Sequence, residues 1–161
     1  MGGKMIIIFC GIPACGKSTV AEKLVRKLND LGASYKLLVS DKVSNRVYEK
    51  IFRFLRNNIE EARYLIVDAT FYKKKWRSEV QRIARENDEE LFTVYLHCDL
   101  EASLRRNEQR EKEERVSEKA IRIIQKEIEK PENPDLEFNT AQTGLEKIVK
   151  KISKELQLTR S

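Results

Sequence analysis

Short apolar runs alternate along the chain with stretches in which apolar residues recur every three or four positions. Met5 to Cys10 is apolar without a break and Tyr64 to Val67 largely so, which predicts strands buried on both faces of a parallel sheet. Tyr35 to Val39, Leu91 to Leu96 and the short Asp135 to Asn139 read as further strands. After the first run, Val20, Leu24, Leu28 and Leu31 stand at helical spacing, and Gly32 supplies the stop. Val47, Ile51, Phe54 and Leu55 mark a second helix within 43–58, and Trp76, Val80, Ile83 and Ala84 a third. A fourth helix starts at Leu100, and its apolar stripe dissolves into the polar run 105–115. Ser117 reads as the N-cap of a fifth, with Val116 and Ile121 as a hydrophobic staple, ending before the rigid connection Pro131 to Pro134. Leu145, Ile148, Val149, Ile152 and Leu156 form the last. The alternation predicts one three-layer α/β domain over residues 1–161, around a mainly parallel five-stranded sheet.

Between the first strand and the first helix lies Gly11-Ile12-Pro13-Ala14-Cys15-Gly16-Lys17-Ser18-Thr19, a G-x-x-x-x-G-K-[ST] phosphate-binding loop. The motif carries weight because its context is right: it leaves a buried strand and opens a helix. Glycines allow the tight turn that aims successive N–H groups at phosphate oxygens, and the helix N-terminus adds its positive end. In that geometry Lys17 reaches the β- and γ-phosphates and Ser18 ligates Mg²⁺. The loop therefore predicts a P-loop NTPase fold of the nucleoside- and nucleotide-kinase kind, with ATP and Mg²⁺ as cofactors.

Two carboxylates follow strands. In open α/β sheets ligands sit outside the carboxyl ends of the strands, so Asp41, just past the second strand, is expected to face the site. It reads as general base or acceptor-positioning group, with an N-cap for the following helix as its plainer role. Tyr64-Leu65-Ile66-Val67-Asp68 has the form of a Walker B strand, and Asp68 joins Ser18 as a metal ligand. Past the third strand, Lys73-Lys74-Lys75-Trp76-Arg77 puts cations where a helix dipole disfavours them. Such a conflict points to an anionic acceptor, with Arg77 first and Lys73 second as contacts. Arg106 and Arg110 stand four apart, on one face of a continuing helix, and read as catalytic arginines on a lid over about 105–116.

Composition narrows the partners. Charged residues make up 36% and the net charge is +6, an excess that suits polyanions, nucleotide phosphates first and RNA second. No apolar run approaches the roughly 18 residues of a membrane span and no signal peptide stands at the start, so a cytoplasmic protein is expected. Cys10, Cys15 and Cys98 have neither an even count nor a C-x-x-C spacing, which predicts neither a disulfide framework nor a zinc site. Cys10 and Cys98 read as small buried residues at strand ends, and so does the lone His97 as a packed side chain. Cys15, next to a helix N-terminus that favours its thiolate, reads as a small loop residue with redox sensitivity as the alternative.

Taken in order, Gly11 to Thr19, Ser40-Asp41, Val67-Asp68-Ala69-Thr70-Phe71-Tyr72, Tyr95-Leu96 and Arg105-Arg106-Asn107-Glu108-Gln109-Arg110 resemble the P-loop kinases of the archaeal O-phosphoseryl-tRNA(Sec) kinase type, over the kinase core. The resemblance implies ATP- and Mg²⁺-dependent transfer to a hydroxyl on a small molecule or a tRNA-linked group. Asp41 then matches the acidic residue near the acceptor hydroxyl, Asp68 the Walker B position, and Arg106 and Arg110 the basic lid. The chain ends at Ser161 without the C-terminal domain by which that kinase grips tRNA, so a different acceptor is expected. Pro131-Glu132-Asn133-Pro134-Asp135-Leu136 is also similar to a stretch of adenylylsulfate kinases. The alternative readings are a P-loop accessory protein of tRNA wobble modification, which uses nucleotide hydrolysis as a switch, an adenylylsulfate-kinase-like enzyme, and an RNA-binding module using the basic helix after Trp76.

Overall fold

A computed structural model describes residues 3–40 and 44–158. Five strands, β1 (Met5–Cys10), β2 (Tyr35–Val39), β3 (Tyr64–Asp68), β4 (Glu90–His97) and β5 (Leu136–Asn139), form one sheet in the order β2-β3-β1-β4-β5. Every strand pair is parallel. The helices are α1 (Lys17–Asp30), α2 (Asn45–Asn58), α3 (Lys74–Glu86), α4 (Leu100–Glu108), α5 (Glu118–Glu127) and α6 (Leu145–Glu155). The predicted α/β architecture is the observed one.

Period-two alternation in β1 explains the layering. Ile7 and Phe9 pack with Val20, Leu24 and Leu28 of α1 and with Ile148 and Ile152 of α6. Ile6, Ile8 and Cys10 face Tyr48, Ile51 and Leu55 of α2, Trp76, Val80 and Ile83 of α3, and Ile124 of α5. Because both faces are covered, Ile6 through Cys10 have no exposed surface, as the unbroken apolar run requires. Chain order reverses at β1: the chain passes to β2 and β3 on one side, then to β4 and β5 on the other. The phosphate loop, Asp68 and Cys98 stand at the carboxyl ends of β1, β3 and β4, the edge of a parallel sheet at which ligands sit.

The turn out of β1 needs glycine. Gly11 has φ 149°, and a Cβ there would stand 2.0 Å from the Leu96 carbonyl oxygen. Gly11 N–H donates to the Thr70 carbonyl at 3.0 Å, so the loop leaves β1 already tied to the end of β3.

Four expectations need correction. The fourth helix does not run on through 115: α4 ends at Glu108, and a single 3₁₀ turn covers Lys112–Glu114. The cause is Asn107, whose buried side chain donates to the Val116 carbonyl at 2.6 Å and accepts from Val116 N–H at 3.0 Å. It folds the chain back into a loop closed at its base. Second, Ser44 occupies the N-cap position of α2, while Asp41 lies outside the described residues. Third, the cysteines do pair: Cys15 and Cys98 are joined by a disulfide with Cα atoms 5.9 Å apart. The pairing escapes any spacing rule because parallel packing of β4 on β1 brings residues 83 apart in sequence together. His97 is not packed away either; half-exposed, it lies with Nε2 3.2 Å from Glu137 Oε2.

Candidate active site

The phosphate loop is built by the end of β1 and the start of α1. Ala14 (φ 61°) and Gly16 (φ 98°) take left-handed conformations, which turn backbone N–H groups inward as an anion cradle. Gly11, Ile12, Pro13, Ala14, Cys15 and Lys17 are buried, and Thr19 is exposed. Lys17 is 3% exposed, and its Nζ donates to the carbonyls of Gly11 at 2.9 Å and Ile12 at 2.8 Å. The ammonium thus sits inside the loop's curve, where it can exchange carbonyl oxygens for phosphate oxygens.

Opposite the loop, β3 delivers Asp68 with no exposed surface, and Ser18 Oγ donates to Asp68 Oδ2 at 2.6 Å. The β1–β3 pairing fixes this meeting, since Phe9 is in register with Asp68. A hydroxyl and a carboxylate in contact beside a phosphate cradle are hard oxygen donors of the kind Mg²⁺ takes, a cation that completes its shell with water and phosphate oxygens. Among the described residues no three His, Cys, Asp or Glu side chains gather as a metal cage. The donor set fits Mg²⁺ held jointly with a nucleotide.

Ser18 and Thr19 open onto a cleft of about 1200 Å³ lined also by Glu22, Ser40, Ser44, Arg46, Lys50, Arg110, Glu113, Glu114 and Arg115. The two expected lid arginines part company here. Arg110 lines the cleft, beyond the end of α4. Arg106, on α4, donates to Thr140 Oγ1 at 2.9 Å and to the Thr140 carbonyl at 3.3 Å. Thr140 is a near neighbour of Gly16, so Arg106 stands on the β5–α6 side of the loop.

Arg77 and Lys73 are placed elsewhere, and neither lines the cleft. Arg77 donates to the carbonyls of Phe71 and Glu129, each at 2.6 Å. Lys73 Nζ lies 3.9 Å from Glu127 Oε2, and Glu129 Oε1 accepts from Lys74 N–H at 3.0 Å. Carboxylates from the end of α5 and its tail therefore answer the conflict at the start of α3, and Glu129 caps the helix.

Tyr48 is a core residue that supports the turn after Asp68, and sequence reasoning passed over it. It is 1% exposed and stacks on Trp76 with centroids 3.8 Å apart. Its hydroxyl lies 2.9 Å from Thr70 Oγ1 and accepts from Phe71 N–H at 2.9 Å. Burial pushes its hydroxyl up to about 12. These bonds hold Phe71 at φ 44°, a conformation a bulky residue keeps only under strong constraint. The constrained turn sits just after Asp68 and under Gly11. The available signal was a tyrosine on the core stripe of α2, because a buried phenol needs a partner. Ser103 was also missed; its buried hydroxyl donates to the Pro13 carbonyl at 2.7 Å and seats α4 on the loop.

Residues 6–131 match the protein family described as AAA domain, and the chain belongs to that family. It is 29% identical over 117 residues to L-seryl-tRNA(Sec) kinase of Methanococcus maripaludis, covering 66% of this chain and 46% of that one. The chain therefore matches about half the length of this relative. It is also 29% identical over 151 residues to a probable adenylyl-sulfate kinase of Archaeoglobus fulgidus, covering 84% of this chain and 95% of that one. The resemblance expected from motif order is borne out. Among solved structures, Kti12 of Chaetomium thermophilum in complex with ADP-AlF3 superposes with a TM-score of 0.77 at 16% identity, over 94% of this chain and 98% of that one. At that identity the likeness shows the fold, that of a P-loop kinase. No helix among the described residues is long and apolar enough to cross a membrane.

Proposed function

We propose that the chain is an ATP- and Mg²⁺-dependent phosphotransferase that moves the γ-phosphoryl group to a hydroxyl of an acceptor bound in the 1200 Å³ cleft. The observation that carries this reading is the Ser18–Asp68 contact at the mouth of that cleft, beside Lys17. Backbone N–H groups of residues 14–19 hold the phosphates, and Lys17 leaves the Gly11 and Ile12 carbonyls to follow them. Ser18 and Asp68 hold Mg²⁺, which when bound neutralises charge on the phosphates. Arg110 supports charge developing on the transferred group, and Arg106 secures the opposite side of the loop. Asp41, two residues past β2, orients the acceptor hydroxyl and takes its proton. Arg46, Lys50 and Arg115 along the cleft suit an acceptor that is itself anionic. The relatives' names supply two acceptor classes to try first, adenylyl sulfate and a tRNA-linked hydroxyl; the alignment over 95% of the adenylyl-sulfate kinase puts the small acceptor ahead.

The test is incubation with γ-labelled ATP, Mg²⁺ and a panel of small alcohols, nucleosides, adenylyl sulfate and total tRNA. Label on one acceptor, abolished by Lys17→Ala and by Asp68→Asn, is the expected result. Label released only as inorganic phosphate would overturn the transferase reading in favour of a nucleotide-hydrolysing switch.

A further inference from the structure

The phosphotransfer scheme leaves the Cys15–Cys98 bridge without a role, yet it joins the two parts of the site that scheme requires to work together. Cys15 lies inside the phosphate cradle and is wholly buried. Cys98 follows β4 and precedes Asp99, the N-cap of α4, whose carboxylate accepts from Ala102 N–H at 2.7 Å. The bridge thus fastens the loop to the foot of the helix that carries Arg106. A second tie runs parallel to it, from Ser103 Oγ to the Pro13 carbonyl. Between the anchored positions 13 and 15 sits Ala14 at φ 61°, a left-handed alanine that persists where its surroundings over-determine it.

We propose that Cys15–Cys98 is a thiol–disulfide exchange site for small thiols, and that its state sets how tightly the phosphate loop holds nucleotide. This rests on the nucleotide reading above. The burial of the two sulfurs differs in the way exchange requires. Cys98 is half-buried and Cys15 has no exposed surface, so an incoming thiolate attacks Cys98 Sγ. The sulfur–sulfur bond to Cys15 breaks as the bond to the small thiol forms. Cys15 departs as a thiolate at the N-terminal end of α1, which favours negative charge there, and takes a proton from solvent. A second small thiolate then attacks the small-thiol sulfur of the mixed disulfide, freeing Cys98 and leaving one small disulfide. The same small disulfide drives the reverse reaction. Cys10 takes no part: it is buried at the end of β1, donates to the Phe71 carbonyl at 3.5 Å, and burial pushes its thiol up to about 11.

With the bridge closed, the loop stands ordered before nucleotide arrives. With it open, the loop keeps the Ser103–Pro13 tie to α4 but loses the covalent one, and binding must restore the order. Reduction therefore weakens nucleotide affinity, and by reciprocity bound nucleotide protects the bridge by the same factor.

The experiment titrates the wild-type protein with AMPPNP, which binds without turnover, after equilibration in an oxidised or a reduced dithiol buffer. We expect roughly tenfold weaker binding in the reduced state, and Cys98→Ser to bind as the reduced protein does in both buffers. Alkylation in a denaturing quench, followed by mass analysis, should find Cys15 and Cys98 modified after reduction, and AMPPNP should shift the midpoint about tenfold toward more reducing buffer. Equal affinity in the two states would overturn the proposal, as would both cysteines being alkylated in the oxidised protein. Absence of AMPPNP binding in either state would overturn the nucleotide reading and the coupling with it, whereas binding without transfer to any acceptor would touch the transferase reading alone. The wild-type comparison needs no substitution, so it stands even if Cys98→Ser misfolds.

Discussion

Two basic groups, one contiguous at 73–77 and one assembled from α2 and the segment after α4, have different surroundings. At the start of α3, Lys73, Lys74 and Arg77 are met from within: Arg77 by two backbone carbonyls, Lys73 by Glu127, and the Lys74 N–H by Glu129. Around the cleft, Arg46, Lys50, Arg110 and Arg115 share the lining beside the phosphate loop with Glu22, Glu113 and Glu114, and Arg115 Nε donates to the Arg110 carbonyl at 2.9 Å. The difference lies in what the neighbouring elements bring. The tail of α5 returns past the start of α3, where Glu129 N–H also bonds the Tyr72 carbonyl at 2.8 Å, and so closes that cluster. At the cleft, carboxylates stand among the cations, yet the space between them stays open at about 1200 Å³. A run of cations locates charge, and packing decides whether the charge is used for folding or left for a ligand.

The comparison breaks or sharpens on four measurements. The largest effect is expected at Arg110. Its replacement by Ala should lower kcat by about 10³-fold, the low end for an arginine that stabilises a transferring phosphoryl group. A loss below tenfold would remove Arg110 from the chemistry and erase the contrast between the clusters.

Arg77→Ala should do the reverse. Two charge-assisted bonds to backbone carbonyls vanish, costing about 3 kcal/mol of stability and lowering Tm by roughly 6–12 °C in a chain of this size. Turnover of the folded fraction should stay within about twofold. Calorimetry beside kinetics decides: lost turnover with an unchanged Tm would return Arg77 to the acceptor site.

The turn that Arg77 clamps is held from the other side by Tyr48, and this gives a pH test. Burial pushes the hydroxyls of Tyr48 and Tyr95 from 10.0 up to about 12, and the Cys10 thiol from 9.0 up to about 11. The folded chain keeps protons that the unfolded chain releases. Stability is thus complete below about pH 9 and is lost as pH rises through 10 to 12. Thermal melts at pH 8 and pH 11 should show the drop, and Tyr48→Phe should start lower and fall less steeply. An equal slope in that variant would deny Tyr48 its share.

The smallest effects belong to the outer shell of the first cluster. Glu129→Gln weakens the cap on α3 and should cost about 0.5–1 kcal/mol. Lys73→Gln, which removes a long and partly exposed ion pair, should stay within about 0.5 kcal/mol. A larger loss on Lys73→Gln, appearing in KM rather than in denaturant unfolding, would mark it as an acceptor contact.

The fold was legible in the sequence because strands buried on both faces must be apolar throughout, as β1 and β3 are, while α1, α3 and α6 cover them with one stripe each. That Lys17, Ser18 and Asp68 come together was legible too, since the motif sets their residue types at strand ends. What stayed hidden depends on contacts between distant segments. The Cys15–Cys98 pair follows from β4 lying beside β1, which spacing along the chain does not encode. The partners of Arg77 are carbonyl groups, which every residue carries and no motif announces. The end of α4 is set by one asparagine gripping a residue nine positions on, within a polar run that reads as helix throughout.

That asparagine has an evolutionary consequence. Because Asn107 holds Val116 by both its N–H and its carbonyl, the chain enters and leaves the 108–115 segment at a fixed gate, whatever lies between. The entropic cost of such a loop grows slowly with its length, about 0.6 kcal/mol per doubling. Insertions, deletions or grafts there leave the sheet and phosphate loop undisturbed while reshaping one wall of the cleft. The segment is a wall of the cleft that can vary in length about its fixed base, with Arg110 the position within it that the phosphotransfer reading requires to be kept.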